Sequence, residues 1–177
     1  MFQAPVRNLS DPGVPHQKPV VTFVGEPNKS MIRMFGQFKE RGIKIVYRSL
    51  NPTPENTRAA EEAGADIIVA TGFDEGGTLP SMTLETFSIV PLIKDTAKNV
   101  PVMAAGGIAD RRAFNAAFAL GAEGVYCGTA FLMCEESRMA SNVKQTLLSA
   151  NARDDTRHSH DSAGHATEIR IPEHLRG

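Results

Sequence analysis

Short apolar runs alternate along the chain with longer segments whose apolar residues recur at helical spacing. Each run is too short and too rich in β-branched residues for a helix, so five strands are predicted. Their continuous apolar character is typical of strands covered on both faces. The runs begin at intervals of 23 to 34 residues and are Val20–Val24, Ile43–Tyr47, Asp66–Ala70, Val100–Ala104 and Gly124–Cys127.

The segments between the runs predict helices. Thr53 supplies a capping hydroxyl before a proline and a glutamate, and Gly64 follows as the stop signal of that helix. A proline is tolerated in the first turn of a helix, where we place Pro91. The first segment carries one buried face with the i, i+3, i+4, i+7 pattern, formed by Met31, Met34, Phe35 and Phe38.

The last predicted helix follows a Gly-Gly turn. Asp110 is expected to cap its N-terminus, and Gly121 to close it. Phe114, Ala117 and Phe118 are expected to face inward.

Repeated strand–helix units predict an α/β fold with a parallel sheet. A closed eight-stranded barrel usually needs about 250 residues, and three more units would need roughly 70 residues ahead of Val20, where nineteen are present. The fold prediction is therefore a partial TIM (β/α)8 barrel with about five βα units. Periodicity alone leaves a complete open sheet as the alternative. Residues 1–150 are assigned to this domain and 151–177 to a polar tail.

Composition narrows the function class. Nineteen basic and twenty acidic side chains leave a net charge of −1, which argues against a nucleic-acid surface or a polybasic membrane patch. No apolar run is long enough to span a membrane. Cys127 and Cys134 lack zinc-site spacing, which favours a reduced, cytoplasmic protein.

Four of the five histidines lie in the tail. The spacing of His158, His160 and His165 is compatible with metal binding, but no cysteine or carboxylate cluster accompanies it. We expect a solvated tail and no metal site.

Three glycine-containing turns follow the carboxyl ends of successive strands, where ligands bind in parallel sheets. Glycine there permits positive φ and lets a ligand approach the backbone. Together the turns favour a phosphorylated ligand over purely structural turns. They are 71–78, reading TGFDEGGT, 105–110, reading AGGIAD, and Gly128-Thr129.

The order of these segments resembles the nitronate monooxygenase family of flavoproteins. The segments are GADIIVATGFDEGGT from Gly64, then TFSIVPLI, VPVMAAGGIAD and ALGAEGVYCGTAFL. The resemblance implies an FMN-binding barrel of which this chain holds the fourth to eighth strands. It also implies which residues hold the cofactor: Gly106, Gly107, Gly128 and Thr129 at the phosphate, and Gly76, Gly77 and Thr71 near the flavin.

The residue that moves a proton stays open. Thr78 stands where the family usually carries a histidine, and a hydroxyl does not act as a base without help. Asp74 and Glu75 flank the turn and would serve if burial raised their pKa values; the alternative is that both are solvated turn carboxylates.

Two functions follow. The leading hypothesis is an FMN-dependent oxidoreductase that oxidises alkyl nitronates or a related small substrate. The alternative is a truncated, non-catalytic flavin- or phosphate-binding remnant, or a half-barrel that needs a partner chain. The expected partners are a small-molecule substrate and either a second copy of the chain or an N-terminal half.

Overall fold

Five parallel strands form one sheet in which spatial order follows chain order, β1-β2-β3-β4-β5. The computed structural model describes residues 19–75 and 81–149. The strands are β1 (Val20–Val24), β2 (Lys44–Arg48), β3 (Ile67–Thr71), β4 (Val102–Ala105) and β5 (Gly124–Tyr126). The helices are α1 (Lys29–Glu40), α2 (Pro54–Ala63), α3 (Thr86–Thr96), α4 (Arg111–Ala119), α5 (Thr129–Leu132) and α6 (Ser141–Ser149).

The chain divides into two compact units between Cys127 and Gly128. The first unit contains the sheet and helices α1 to α4, and the second contains α5 and α6. Within the described ranges, no helix has the length and apolar content that a membrane crossing requires. The predicted tail, 151–177, lies outside the described residues.

The two faces of the sheet differ. Because side chains alternate along a strand, every second residue faces the helices and the others face the opposite side. The helix side holds the larger core, with strand residues Ile45, Tyr47, Ile68, Ala70, Val102 and Ala104 against Met31, Phe35, Ile89, Val90 and Ile93. The opposite side, here called the inner face, buries Val46, Val69 and Ala105, with Ile67, Met103 and Tyr126 partly buried beside them.

The predicted helix signals are confirmed. The side-chain oxygen of Thr53 accepts a hydrogen bond from the N–H of Asn56 at 3.1 Å. Gly64 ends α2 with φ of +103°, a left-handed conformation that is strained for any residue with a Cβ atom. Asp110 caps α4 by accepting from the N–H groups of Arg112 and Ala113. Helices α2 and α4 thus begin, and α2 ends, at the residues that the local signals predicted.

Two expectations about the helices are wrong, and a third, that every strand is covered on both faces, is wrong for β1. Phe114 and Phe118 are each 43% exposed, because α4 packs through the small Ala117 and the two rings pack on each other with centroids 4.8 Å apart. Pro91 lies in the interior of α3 because this helix already begins at Thr86. Proline has no N–H to donate to the carbonyl of Phe87, four residues earlier, and Phe87 is 69% exposed.

Strand β1 is not covered on both faces. Its inner-face residues Val20 and Val24 are 60% and 47% exposed, because β1 is the edge of the described sheet. An edge strand offers unpaired backbone to a further strand. Pairing there with a second copy or an N-terminal half stays a prediction.

Asp66 ties the amino ends of β2 and β3 together. Its carboxylate accepts from Lys39 Nζ at 2.9 Å, Lys44 Nζ at 2.8 Å and the N–H of Ile45 at 2.9 Å. Burial acts to raise the pKa of Asp66, but the bonds from Lys44, Lys39 and Ile45 outweigh it and lower this pKa to about 2.

We expect Asp66→Asn to lower the free energy of unfolding by about 1 to 2 kcal/mol at pH 7, after allowing for solvent screening. The folded pKa is depressed, so the stabilisation is present above pH about 4 and is lost as the pH falls towards 2. Urea unfolding of the wild type and Asp66→Asn at pH 7, 4 and 2.5 measures this difference in the free energy of unfolding. A deficit of equal size at every pH would contradict the assignment.

Candidate functional site

The last residue of every strand lies on the inner face. The register pairs Val24 with Arg48, Thr71 with Ala105 and Ala105 with Tyr126. Arg48 shares this face because its β3 partner lies two residues before Thr71. These five residues form a terminal row at the carboxyl edge of the sheet, where ligands of parallel βα proteins bind.

The turn after β4 presents backbone donors at this edge. Gly106 and Gly107 have φ of +109° and +60°, so both adopt conformations that favour glycine. Among the described residues, neither N–H group has a hydrogen-bond partner. Two adjacent unpaired N–H groups in a glycine turn form the kind of concavity that binds an anion.

The β3–α3 loop is fastened against this turn. Asp74 Oδ1 accepts from the N–H of Thr86 at 3.0 Å and from Thr86 Oγ1 at 2.7 Å. Thr86 Oγ1 also lies 3.2 Å from the carbonyl of Ala105 and 3.1 Å from that of Gly106. A Cβ at Gly72 would lie 2.3 Å from Thr86 Oγ1 and 2.4 Å from Thr86 N. Glycine at this position therefore allows the loop, the start of α3 and the β4 turn to meet.

Glu75 is not a solvated turn carboxylate. It forms an ion pair with Arg48 of the terminal row, and the two side chains are only 11% and 12% exposed. Burial raises the pKa of Glu75, although the charge of Arg48 and its hydrogen bond act in the opposite direction. The hydrogen bond from Arg48 occupies a Glu75 oxygen that would otherwise accept a proton, so the carboxylate is not free to act as a base while the pair is intact.

Thr71, at the end of β3, is almost completely buried. Its hydroxyl has no hydrogen-bond partner in the described part of the chain. Buried polar atoms are nearly always paired in folded proteins, so an unpaired one marks a position where a ligand or water completes the structure.

A second polar cluster lies after β1 and β2, and glycine spacing alone did not reveal it. Glu26 accepts from the N–H of Asn51 at 2.8 Å, from Ser49 Oγ at 3.3 Å and from Asn56 Nδ2. Asn51 Oδ1 in turn accepts from Ser81 N at 2.7 Å. Polar residues directly after each predicted strand were the available signal, because these positions share the carboxyl edge.

The structure brings some of the predicted site residues together. Asp74, Gly106 and Gly107 meet, and an added Cβ at Gly107 would lie 2.9 Å from Asp74 Oδ2. Gly128 and Thr129 belong to the second unit, where Thr129 begins the short helix α5. Gly76, Gly77, Thr78 and the tail histidines lie outside the described residues.

Comparison with known proteins identifies relatives. A family model described as nitronate monooxygenase matches residues 16–167. The chain is 37% identical over 147 residues to a probable nitronate monooxygenase of Staphylococcus aureus, covering 78% of this chain and 40% of that protein. It is 40% identical over 113 residues to the putative monooxygenase Rv1533 of Mycobacterium tuberculosis, covering 64% and 30%. The chain thus spans 30% to 41% of the curated relatives it matches.

Solved structures agree. FabK from Thermotoga maritima superposes with a TM-score of 0.69 at 39% identity, covering 77% of this chain and 41% of that one. The nitroalkane oxidase of Streptomyces ansochromogenes gives 0.63 at 29% identity, covering 73% and 38%. The five βα units are therefore part of a TIM-type barrel, as the sequence predicts.

Proposed function

The chain belongs to the nitronate monooxygenase family, and from that premise we propose that it is an FMN-dependent oxidoreductase acting on small nitronates. The observation that carries the proposal is the Gly106–Gly107 turn. Its two N–H groups have no partner among the described residues and follow a strand at the carboxyl edge of the sheet. A phosphate oxygen is a strong acceptor for such donors.

The residues present fit a phosphate at this turn. Both glycines adopt φ values that a Cβ would strain, so the backbone is open to close approach. The Asp74 carboxylate lies against the turn, on the side where Gly107 would carry a Cβ. Its Oδ1 is already bonded to Thr86, and it accepts from neither glycine N–H. The two donors therefore stay available to an anion.

Other contacts are proposed from the resemblance. Gly76 and Gly77 would let backbone approach the flavin. The unpaired hydroxyl of Thr71 supports its assignment near the flavin, because a ring oxygen or nitrogen would satisfy it.

The choice of substrate follows from the missing histidine. FMN, when bound, supplies the electron acceptor that this chain's own side chains lack. Thr78 offers no base, and Glu75 is engaged by Arg48. An ionised nitronate needs no proton removed before it gives up electrons, whereas a neutral nitroalkane does. We therefore propose that the substrate enters already ionised.

Anaerobic mixing of the FMN-loaded chain tests this function. Propane-2-nitronate is expected to bleach the flavin absorbance at least about 100-fold faster than neutral 2-nitropropane, the factor that a positioned base contributes. A protein supplied with FMN that neither compound bleaches would overturn the proposed activity. Equal rates would show that a base is present and would overturn the preference for nitronates.

A further inference from the structure

The Arg48–Glu75 pair occupies an unusual place for an ion pair. Both side chains are nearly buried, and Arg48 belongs to the terminal row on the inner face. Removing two charges from water costs about as much as their attraction returns, so a buried pair is a poor way to stabilise a fold. Its position at the ligand-binding edge suggests a different use.

The groups around Arg48 favour a ligand anion. The same face carries apolar Val46 and Val69, which exclude water and strengthen the field of the guanidinium. The terminal row also carries the Thr71 hydroxyl, which has no partner among the described residues. Two other cations, Lys39 of α1 and Lys44 of β2, are bonded to Asp66 at the opposite edge of the sheet.

We propose that Arg48 is the binding residue for the paired oxygens of a planar, singly charged substrate, and that Glu75 is an internal competitor for it. The inference rests on the proposed function, because a nitronate is such an anion. A guanidinium presents two parallel N–H donors that match the two oxygens of a nitronate or a carboxylate. In the described structure the Glu75 carboxylate accepts a hydrogen bond from Arg48 Nη2, and only a substrate that carries the negative charge takes its place on binding.

A carboxylate that cannot be oxidised provides the probe. Isobutyrate shares the single negative charge, the paired oxygens and the two methyl groups of propane-2-nitronate, and isothermal titration calorimetry measures its binding without any flavin chemistry. We expect Glu75→Gln to bind isobutyrate at least tenfold more tightly than the wild type, because the competing charge is gone while Arg48 remains. The double variant Arg48→Gln with Glu75→Gln should lose binding, and it leaves no unpaired buried charge.

Lys44→Met is the matched control. Lys44 lies on the same strand and the same face as Arg48 but at the opposite edge, so its loss should leave isobutyrate binding unchanged. Equal affinity in the wild type and Glu75→Gln would overturn the proposal. If Glu75→Gln does not fold, as judged by circular dichroism, the wild type and the double variant decide: equal binding by these two overturns it.

A parallel FMN titration of the same variants separates this inference from the proposed function. If Glu75→Gln binds isobutyrate more tightly but the chain does not bind FMN, the anion site is supported and the flavin assignment is overturned. If every variant binds FMN tightly and isobutyrate affinity does not change, the flavin assignment is supported and the anion site at Arg48 is overturned.

Discussion

Replacing Gly72 with alanine is expected to lower the free energy of unfolding by about 3 kcal/mol or more. The new Cβ would lie 2.3 Å from Thr86 Oγ1, 2.4 Å from Asp74 Oδ1 and 2.4 Å from Thr86 N. The third of these atoms is backbone at the start of α3, so a side-chain rotation does not relieve the contact. The loop, the helix and the β4 turn must separate.

Gly36→Ala is the matched control. Gly36 lies in the middle of α1, and a Cβ there would meet no atom within 4 Å. Alanine is a better helix former than glycine by up to about 1 kcal/mol, so this variant should be slightly more stable than the wild type. In urea unfolding, the change in the free energy of unfolding relative to the wild type should therefore have opposite signs in the two variants. A Gly72→Ala protein as stable as the wild type would show that the three segments do not meet.

The sequence predicted the strands and helix ends because their signals are local. Thr53 and Asp110 cap the helices that they precede, and Gly64 ends a helix with positive φ. The parallel order of the sheet followed from repeated units of similar length. What local patterns do not contain is which side of a helix the rest of the fold covers. Phe114 therefore was assigned inward and is exposed.

The site was predicted only in part, for a related reason. The turn at Gly106 could be predicted from the sequence, because two adjacent glycines indicate the positive φ values that this backbone adopts. The bond between Arg48 and Glu75 joins residues 27 apart, and that between Glu26 and Asn51 joins residues 25 apart. Such pairs depend on the register of neighbouring strands, which no local pattern states.

A preference for FMN over riboflavin is the second large effect expected. The two molecules share the flavin ring and differ in the phosphate. Two charge-assisted hydrogen bonds from the N–H groups of Gly106 and Gly107, at about 1.5 kcal/mol each, correspond to about 100-fold in affinity. The Asp74 carboxylate lies close enough to Gly107 to repel the phosphate. Because salt screens this repulsion, the ratio of FMN affinity to riboflavin affinity should be smaller at low ionic strength.

Titration of the purified chain with FMN and with riboflavin, followed by quenching of flavin fluorescence, tests directly whether the Gly106–Gly107 turn binds a phosphate. If it does, FMN binds about 100-fold more tightly than riboflavin. Equal affinity for the two flavins, or no binding of either, would contradict it.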